Sequence, residues 1–258
     1  MKKILSFVCI LTFSLSCSTD SGNTDQPNGF LKKITSMSGD GEIIDSNTYI
    51  YNGEELRKIL RADNTYTLFY YTDDRISKVE YYDEYGHLAH LVNFGYDNSG
   101  RLISENGEEF TSIGMVPTVS TTFTINPDNT IDCVHQMYNS YSSDAQFVLD
   151  DEGAILESHR IYENGYETHS FFEYDNMHDP LKGIKGYYLL RYSNEELFYF
   201  SAPHNITSVY TWYADVNGGN DGTLNFAYQY NNVGYPITRQ ASQLAVPNVS
   251  GTLIYEYY

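Results

Sequence analysis

A turn signature recurs along this chain at intervals of roughly twenty-five residues, and no other feature constrains the fold as much. Its clearest copy is Phe94-Gly95-Tyr96-Asp97-Asn98-Ser99-Gly100-Arg101-Leu102, an aromatic run ending in Tyr-Asp, a polar turn and a second apolar run. Variants are Tyr51-Asn52-Gly53, Tyr71-Thr72-Asp73-Asp74, Leu149-Asp150-Asp151-Glu152-Gly153, Tyr174-Asp175-Asn176 and Tyr230-Asn231-Asn232-Val233-Gly234. Counted from the turn-opening residue, 52 to 72 is 20, and 72 to 97 and 150 to 175 are 25 each. The gaps 97 to 150 (53) and 175 to 231 (56) read as two units, with turns expected at Asn126-Pro127-Asp128-Asn129 and Ala202-Pro203-His204-Asn205.

The unit reads as a β-hairpin. Asn, Asp and Gly tolerate the left-handed backbone of tight turns, while Tyr, Phe, Val, Ile and Thr suit a pleated surface. Leu224, Phe226, Tyr228 and Tyr230 alternate with Asn225, Ala227, Gln229 and Asn231, as one buried and one wet face require. Eight hairpins give on the order of sixteen short strands, and a sheet that wide must coil or close. The expected fold is therefore all-β: a single antiparallel β-meander coiled into a barrel or half-barrel. Residues 179–200 break the repeat and read as a short helix or a long loop.

The chain has 258 residues, with 34 Asp+Glu against 15 Lys+Arg, a formal charge of −19. That balance argues against nucleic acid as a partner, since phosphate binding needs clustered cations. At 41% hydrophobic residues the chain can bury a core.

Met1-Lys2-Lys3 is followed by a twelve-residue apolar run, Ile4 to Leu15, too short to span a bilayer and read as a signal peptide. Cys17 behind Ser16 resembles a bacterial lipoprotein cleavage site, which implies cleavage before Cys17 and lipid on its thiol. The expected organisation is a lipoprotein signal peptide over 1–16, a flexible polar tether over 17–29 and one β-meander domain over 30–258. After cleavage, 13 basic residues face 34 acidic ones, −21, and Cys133 is the one remaining free thiol.

Two family resemblances follow from the turns. Tyr96-Asp97-Asn98-Ser99-Gly100-Arg101-Leu102 looks like a YD repeat, the Rhs-like hairpin unit of shells around secreted bacterial toxins. Roughly Phe30 to Tyr258 resembles a Bacteroidetes lipoprotein family of unknown function described as having a porin-like fold. Phe172-Glu173-Tyr174-Asp175-Asn176 with Asp179-Pro180, His204-Asn205-Ile206-Thr207, and Tyr228-Gln229-Tyr230-Asn231 with Gly234-Tyr235-Pro236 carry that likeness. Asp179 stands where the family has Asn. The resemblance implies a fold and an outer-membrane address, and no reaction.

The search for chemistry yields little. Adjacent carboxylates such as Glu54-Glu55 and Asp150-Asp151 point to opposite strand faces or into solvated turns, where an opposed acid–base pair cannot form. No His-x-His pair is present, and the loop from Asp215 to Phe226 lacks the glutamate that closes a calcium site. No cofactor, metal or catalytic residue is assigned. Cys133 and His135 share a strand face as the available nucleophile–base pair, but they lie on an apolar stripe with Ile131 and Met137. Exposed aromatics remain: Tyr210 and Trp212 on one strand, Tyr228 and Tyr230 on its neighbour, are the candidate ligand-binding residues.

The expected function is a membrane-tethered, non-enzymatic binding lipoprotein of the envelope, with a glycan, peptide or partner lipoprotein as ligand. The alternatives are a carrier of an apolar ligand, a Cys133/His135 hydrolase and a transmembrane barrel.

Overall fold

The computed structural model describes residues 29–138, 142–193, 202–215, 218–243 and 251–258. The expected signal peptide, Cys17 and nearly all of the tether lie outside them. The strands are β1 (Leu31–Met37), β2 (Ile43–Asn52), β3 (Glu55–Arg61), β4 (Tyr66–Thr72), β5 (Arg75–Tyr82), β6 (Leu88–Tyr96), β7 (Leu102–Thr111) and β8 (Gly114–Ile125). They continue as β9 (Thr130–Met137), β10 (Ser143–Leu149), β11 (Ile155–Tyr162), β12 (Glu167–Tyr174), β13 (Ile206–Asp215), β14 (Gly218–Tyr230), β15 (Pro236–Gln243) and β16 (Gly251–Tyr257). Each strand pairs antiparallel with its sequence neighbours, and β1 pairs with β16, so the meander closes into a barrel.

Side-chain chemistry fixes the tight turns. Asp97 Oδ1 accepts the backbone N–H groups of Ser99 and Arg101, Asp150 Oδ1 those of Glu152 and Ala154, and Asn231 Oδ1 those of Val233 and Tyr235. Gly100, Gly153 and Gly234 follow at positive φ, which an L side chain adopts only with strain. Bonds from Ser99 and Arg101 hold the Asp97 carboxyl well below the usual aspartate range.

Closure has a repeated cause. A register shift falls at the start of most odd strands. The extra residue is the second or third of the strand: Lys32, Arg57, Ser77, Ile103, Leu156, Thr207 and Ile237. Such bulges bend a strand and sharpen its twist, so seven around one rim curl the sheet onto itself. At five of the seven, the carbonyl just before the bulge is bonded by a tyrosine of the next strand. Tyr51 donates to Leu31, Tyr96 to Ile76, Tyr174 to Ile155, Tyr228 to Ile206 and Tyr257 to Pro236, all at 2.7–2.9 Å. On β7 the same task falls to Tyr192, which donates to Leu102 at 3.3 Å. Tyr96 and Tyr174, the tyrosines that open Tyr96-Asp97 and Tyr174-Asp175, are thus rim latches.

Alternation sends Ile59, Phe69, Val79, Val92, Phe123, Ile131 and Phe147 into the lumen, where they are buried. The outer face carries Lys78, Asp132, Glu157, His169 and Glu173 at the alternating positions. Lys78, Tyr70 and Tyr82 together bond Glu80 there.

The stretch between β12 and β13 departs from the expected spacing. Asp175 N–H donates to the Asn205 carbonyl (3.0 Å), and Asn205 Nδ2 donates back to the Asp175 carboxylate (3.2 Å). Ala202-Pro203-His204-Asn205 is therefore the return leg of one enlarged turn, and the gap from 175 to 231 is one insertion plus one hairpin rather than two units. The inserted chain enters the barrel end as a plug, with a 3-10 turn at Tyr187–Leu190 whose Tyr187 and Leu190 are buried. Gly186 sits at φ 71° so close to β5 that a Cβ there would lie 3.1 Å from the Asp74 carbonyl oxygen. Tyr192 packs edge-on against Phe123, at 5.1 Å between centroids. Residues 194–200, the remainder of the irregular segment, lie outside the described residues.

Candidate functional site

The four aromatic candidates divide between two surfaces. Tyr210 and Trp212 lie together on the outer face of β13, 37% and 38% exposed. Register places Tyr210 opposite Phe171 of β12 and Trp212 opposite His169, with His159 and Glu157 of β11 beyond. The rings form a row: His159 to His169 at 5.1 Å, His169 to Phe171 at 4.5 Å and Phe171 to Tyr210 at 6.2 Å. Polar groups border it. Tyr210 donates to Asp221 Oδ2 (3.1 Å), which pushes its phenol pKa up, and His169 Nε2 contacts Glu157 Oε1. The strip lies on the barrel's outer, convex side and not on a concave face, where a glycan or peptide would be more fully enclosed.

Tyr228 and Tyr230 are committed elsewhere. Tyr228 faces inward and latches the Ile206 carbonyl at 2.9 Å; burial pushes its phenol up. Tyr230 donates to Asp175 Oδ2 in the neck of the plug, and its ring stacks on Tyr228 at 5.8 Å. Both hydroxyls serve the rim. Phe171 and His169, which the sequence reading passed over, take their place beside Tyr210. Their signal was the alternation of Glu167-Thr168-His169-Ser170-Phe171-Phe172, in which His169 and Phe171 share a face.

Cys133 and His135 do share a strand face, and it is the inner one. The thiol is 1% exposed, packed in the core with Ile131 and Phe147. A nucleophile needs access to its substrate, and this sulfur has none from outside. His135 Nδ1 lies 2.9 Å from Thr121 Oγ1, and Thr121 Oγ1 lies 3.0 Å from Glu105 Oε1. Ser193 of the plug donates to the other oxygen of Glu105. This chain satisfies a glutamate that is 1% exposed, as buried carboxylates require, and ties the plug to β7, β8 and β9. Among the described residues no cluster of three or more His, Cys, Asp or Glu is arranged to hold a metal ion.

No protein-family model matches the chain, and no curated protein matches it. The chain is similar to solved structures of porin-like proteins from Bacteroides. One, from Bacteroides vulgatus ATCC 8482, has 12% sequence identity and a TM-score of 0.44, covering 89% of this chain and 98% of that one. Another, from Bacteroides uniformis ATCC 8492, has 10% identity and a TM-score of 0.42, covering 90% and 98%.

Proposed function

We propose that this protein is a non-enzymatic binding lipoprotein of the bacterial envelope, anchored by lipid on Cys17, that docks a glycan on the outer strip of Phe171, Tyr210 and Trp212. The observation that carries this reading is that Phe171, Tyr210 and Trp212, on one outer face of adjacent strands, are each more than a third exposed. The Phe171 and Tyr210 rings, 6.2 Å apart, suit stacking on sugar rings, and Asp221, Glu157 and His169 offer hydroxyl partners at the border. The charged outer face of the strands, with Lys78, Glu80, Asp132, Glu157 and Glu173, supports a water-facing barrel on a tether. A spanning barrel instead presents an unbroken apolar band to lipid. The buried Cys133 supports a role without covalent catalysis.

The test is a glycan array probed with the full-length Cys17→Ala protein, released from its anchor. Binding that disappears in Trp212→Ala and persists in Tyr228→Phe supports the reading. A profile unchanged by Trp212→Ala overturns it, and binding to immobilised peptides alone would replace the glycan by a protein partner.

A further inference from the structure

Between the plug and the barrel wall lies a second, unrelated feature. A recess of about 190 Å³ is lined by Asp179, Pro180 and Leu181 of the plug and by inward-facing residues of β13 to β16 and β1. Most of its wall is apolar: Ile34, Leu181, Ile206, Phe226 and Leu253. Into it β15 projects one cation. The Arg239 guanidinium lies over the Phe226 ring, 4.9 Å from its centroid, and beside the Tyr228 hydroxyl.

That cation is unusually placed. Among the described residues Arg239 makes no ion pair. Arg239 is half-buried, and a guanidinium that faces an apolar wall gains from a carboxylate partner. The acid that shares the recess, Asp179, is 6% exposed and accepts the Leu181 N–H at 2.7 Å. Burial pushes its pKa up to about 8, against the opposing pull of the Leu181 N–H and the Arg239 charge. Phe226 and Tyr228 hold the planar head, and a guanidinium fork has further N–H donors that suit a planar anion.

We propose that this recess binds a small amphipathic monocarboxylate, its carboxylate on Arg239 and its hydrocarbon tail against Ile34, Leu181, Ile206 and Leu253. Size sets the class. An apolar cavity of about 150 Å³ holds benzene, so a recess somewhat larger takes an acid of about six carbons. One cation among the lining residues selects a single negative charge. The tail needs no hydrogen-bond partner, and the wall offers it hydrocarbon. This site shares no residue with the outer aromatic strip, so either can fail without the other.

The experiment is isothermal titration of the full-length Cys17→Ala protein with hexanoate, 1-hexanol, hexylammonium and palmitate. Hexanoate is expected to bind at least about tenfold more tightly than 1-hexanol, the worth of one charge-assisted contact, and hexylammonium more weakly than either. Arg239→Gln should remove the advantage of hexanoate over 1-hexanol while leaving 1-hexanol binding in place. Leu253→Trp, which fills the tail space, should abolish both. Equal binding of hexanoate and 1-hexanol, or hexanoate binding untouched by Arg239→Gln, overturns the proposal. Should Arg239→Gln fail to fold, the ranking of the four ligands on the parent protein decides alone. Palmitate binding more tightly than hexanoate would point to a membrane-derived acyl chain and overturn the assignment to a small acid.

Discussion

The hydroxyl of Tyr96 donates to the carbonyl oxygen of Ile76 at 2.7 Å, twenty residues back and across the strand junction where β5 carries its bulge. The same relation holds between Tyr51 and Leu31 and between Tyr174 and Ile155. The bond stands beside a backbone that has already lost regular pairing, so no neighbouring strand replaces it. Tyr96→Phe keeps the ring and removes only the donor. It is expected to cost about 1–2 kcal/mol, seen as a lower urea midpoint with an unchanged slope. Tyr210→Phe, whose hydroxyl is exposed, is expected to shift the midpoint by less than half as much. Equal effects would deny the latch its role.

Asp179 gives stability a dependence on pH. Its pKa is raised from 3.8 to about 8 in the folded chain, chiefly by burial. The folded state therefore keeps a proton that the unfolded state releases. The stability linked to this group is fully present below about pH 4 and declines as pH rises towards 8, by a few kcal/mol at about 1.4 per unit. Asp179→Asn keeps an acceptor for the Leu181 N–H and removes the titration. The variant should melt at nearly the parent temperature at pH 4 and several degrees higher at pH 8. A constant difference between the two pH values would contradict this.

Cys133 is the one cysteine of a Cys9→Ser, Cys17→Ala protein, so thiol chemistry on that variant reports on the core alone. With the sulfur 1% exposed, Ellman's reagent is expected to react only as fast as the barrel opens, and at once in denaturant. Rapid stoichiometric reaction of the native protein would show that the lumen admits small molecules to β9.

Gly100 closes the β6–β7 turn at φ 86°, and a Cβ there would come within 2.6 Å of the Arg75 guanidinium. Gly100→Ala combines a left-handed backbone with a displaced arginine whose head lies near the Tyr96 ring, 5.7 Å from its centroid. A loss of about 1–2 kcal/mol is expected from the backbone alone, measured by urea denaturation. Gly53→Ala has open space around its Cβ and should lose only the backbone part.

The strand count was legible in the sequence because each turn announces itself through its own side chains. Asp97, Asp150 and Asn231 bond the next few backbone N–H groups whatever the rest of the chain does. The enlarged turn was not legible. Ala202-Pro203-His204-Asn205 has turn composition because it ends a loop, and its partner, Asp175, is thirty residues away. The aromatic site was legible only by halves. Alternation pairs Tyr210 with Trp212, but which face of a strand looks into a barrel is decided by closure. Tyr228 also resembled an exposed aromatic because its acceptor, the Ile206 carbonyl, belongs to a strand start with no composition of its own. Arg239 gave no signal at all: a lone arginine on a strand reads as solvent-facing until the sheet is known to curl around it.

The seam between β1 and β16 joins strands more than two hundred positions apart, and Tyr258 N–H donates to the Phe30 carbonyl at 3.0 Å beside it. Every other strand pair is consecutive in the chain, joined by a short turn or, between β12 and β13, by the inserted plug. Hairpins can therefore zip in any order at modest entropic cost, while the seam brings together almost the entire polypeptide in one event. Until it does, the growing sheet has two raw edges able to recruit strands from other molecules. Residues 251–257 thus act as a kinetic gate: a chain paused before them is sticky, and a chain that has placed them has no edge left to offer.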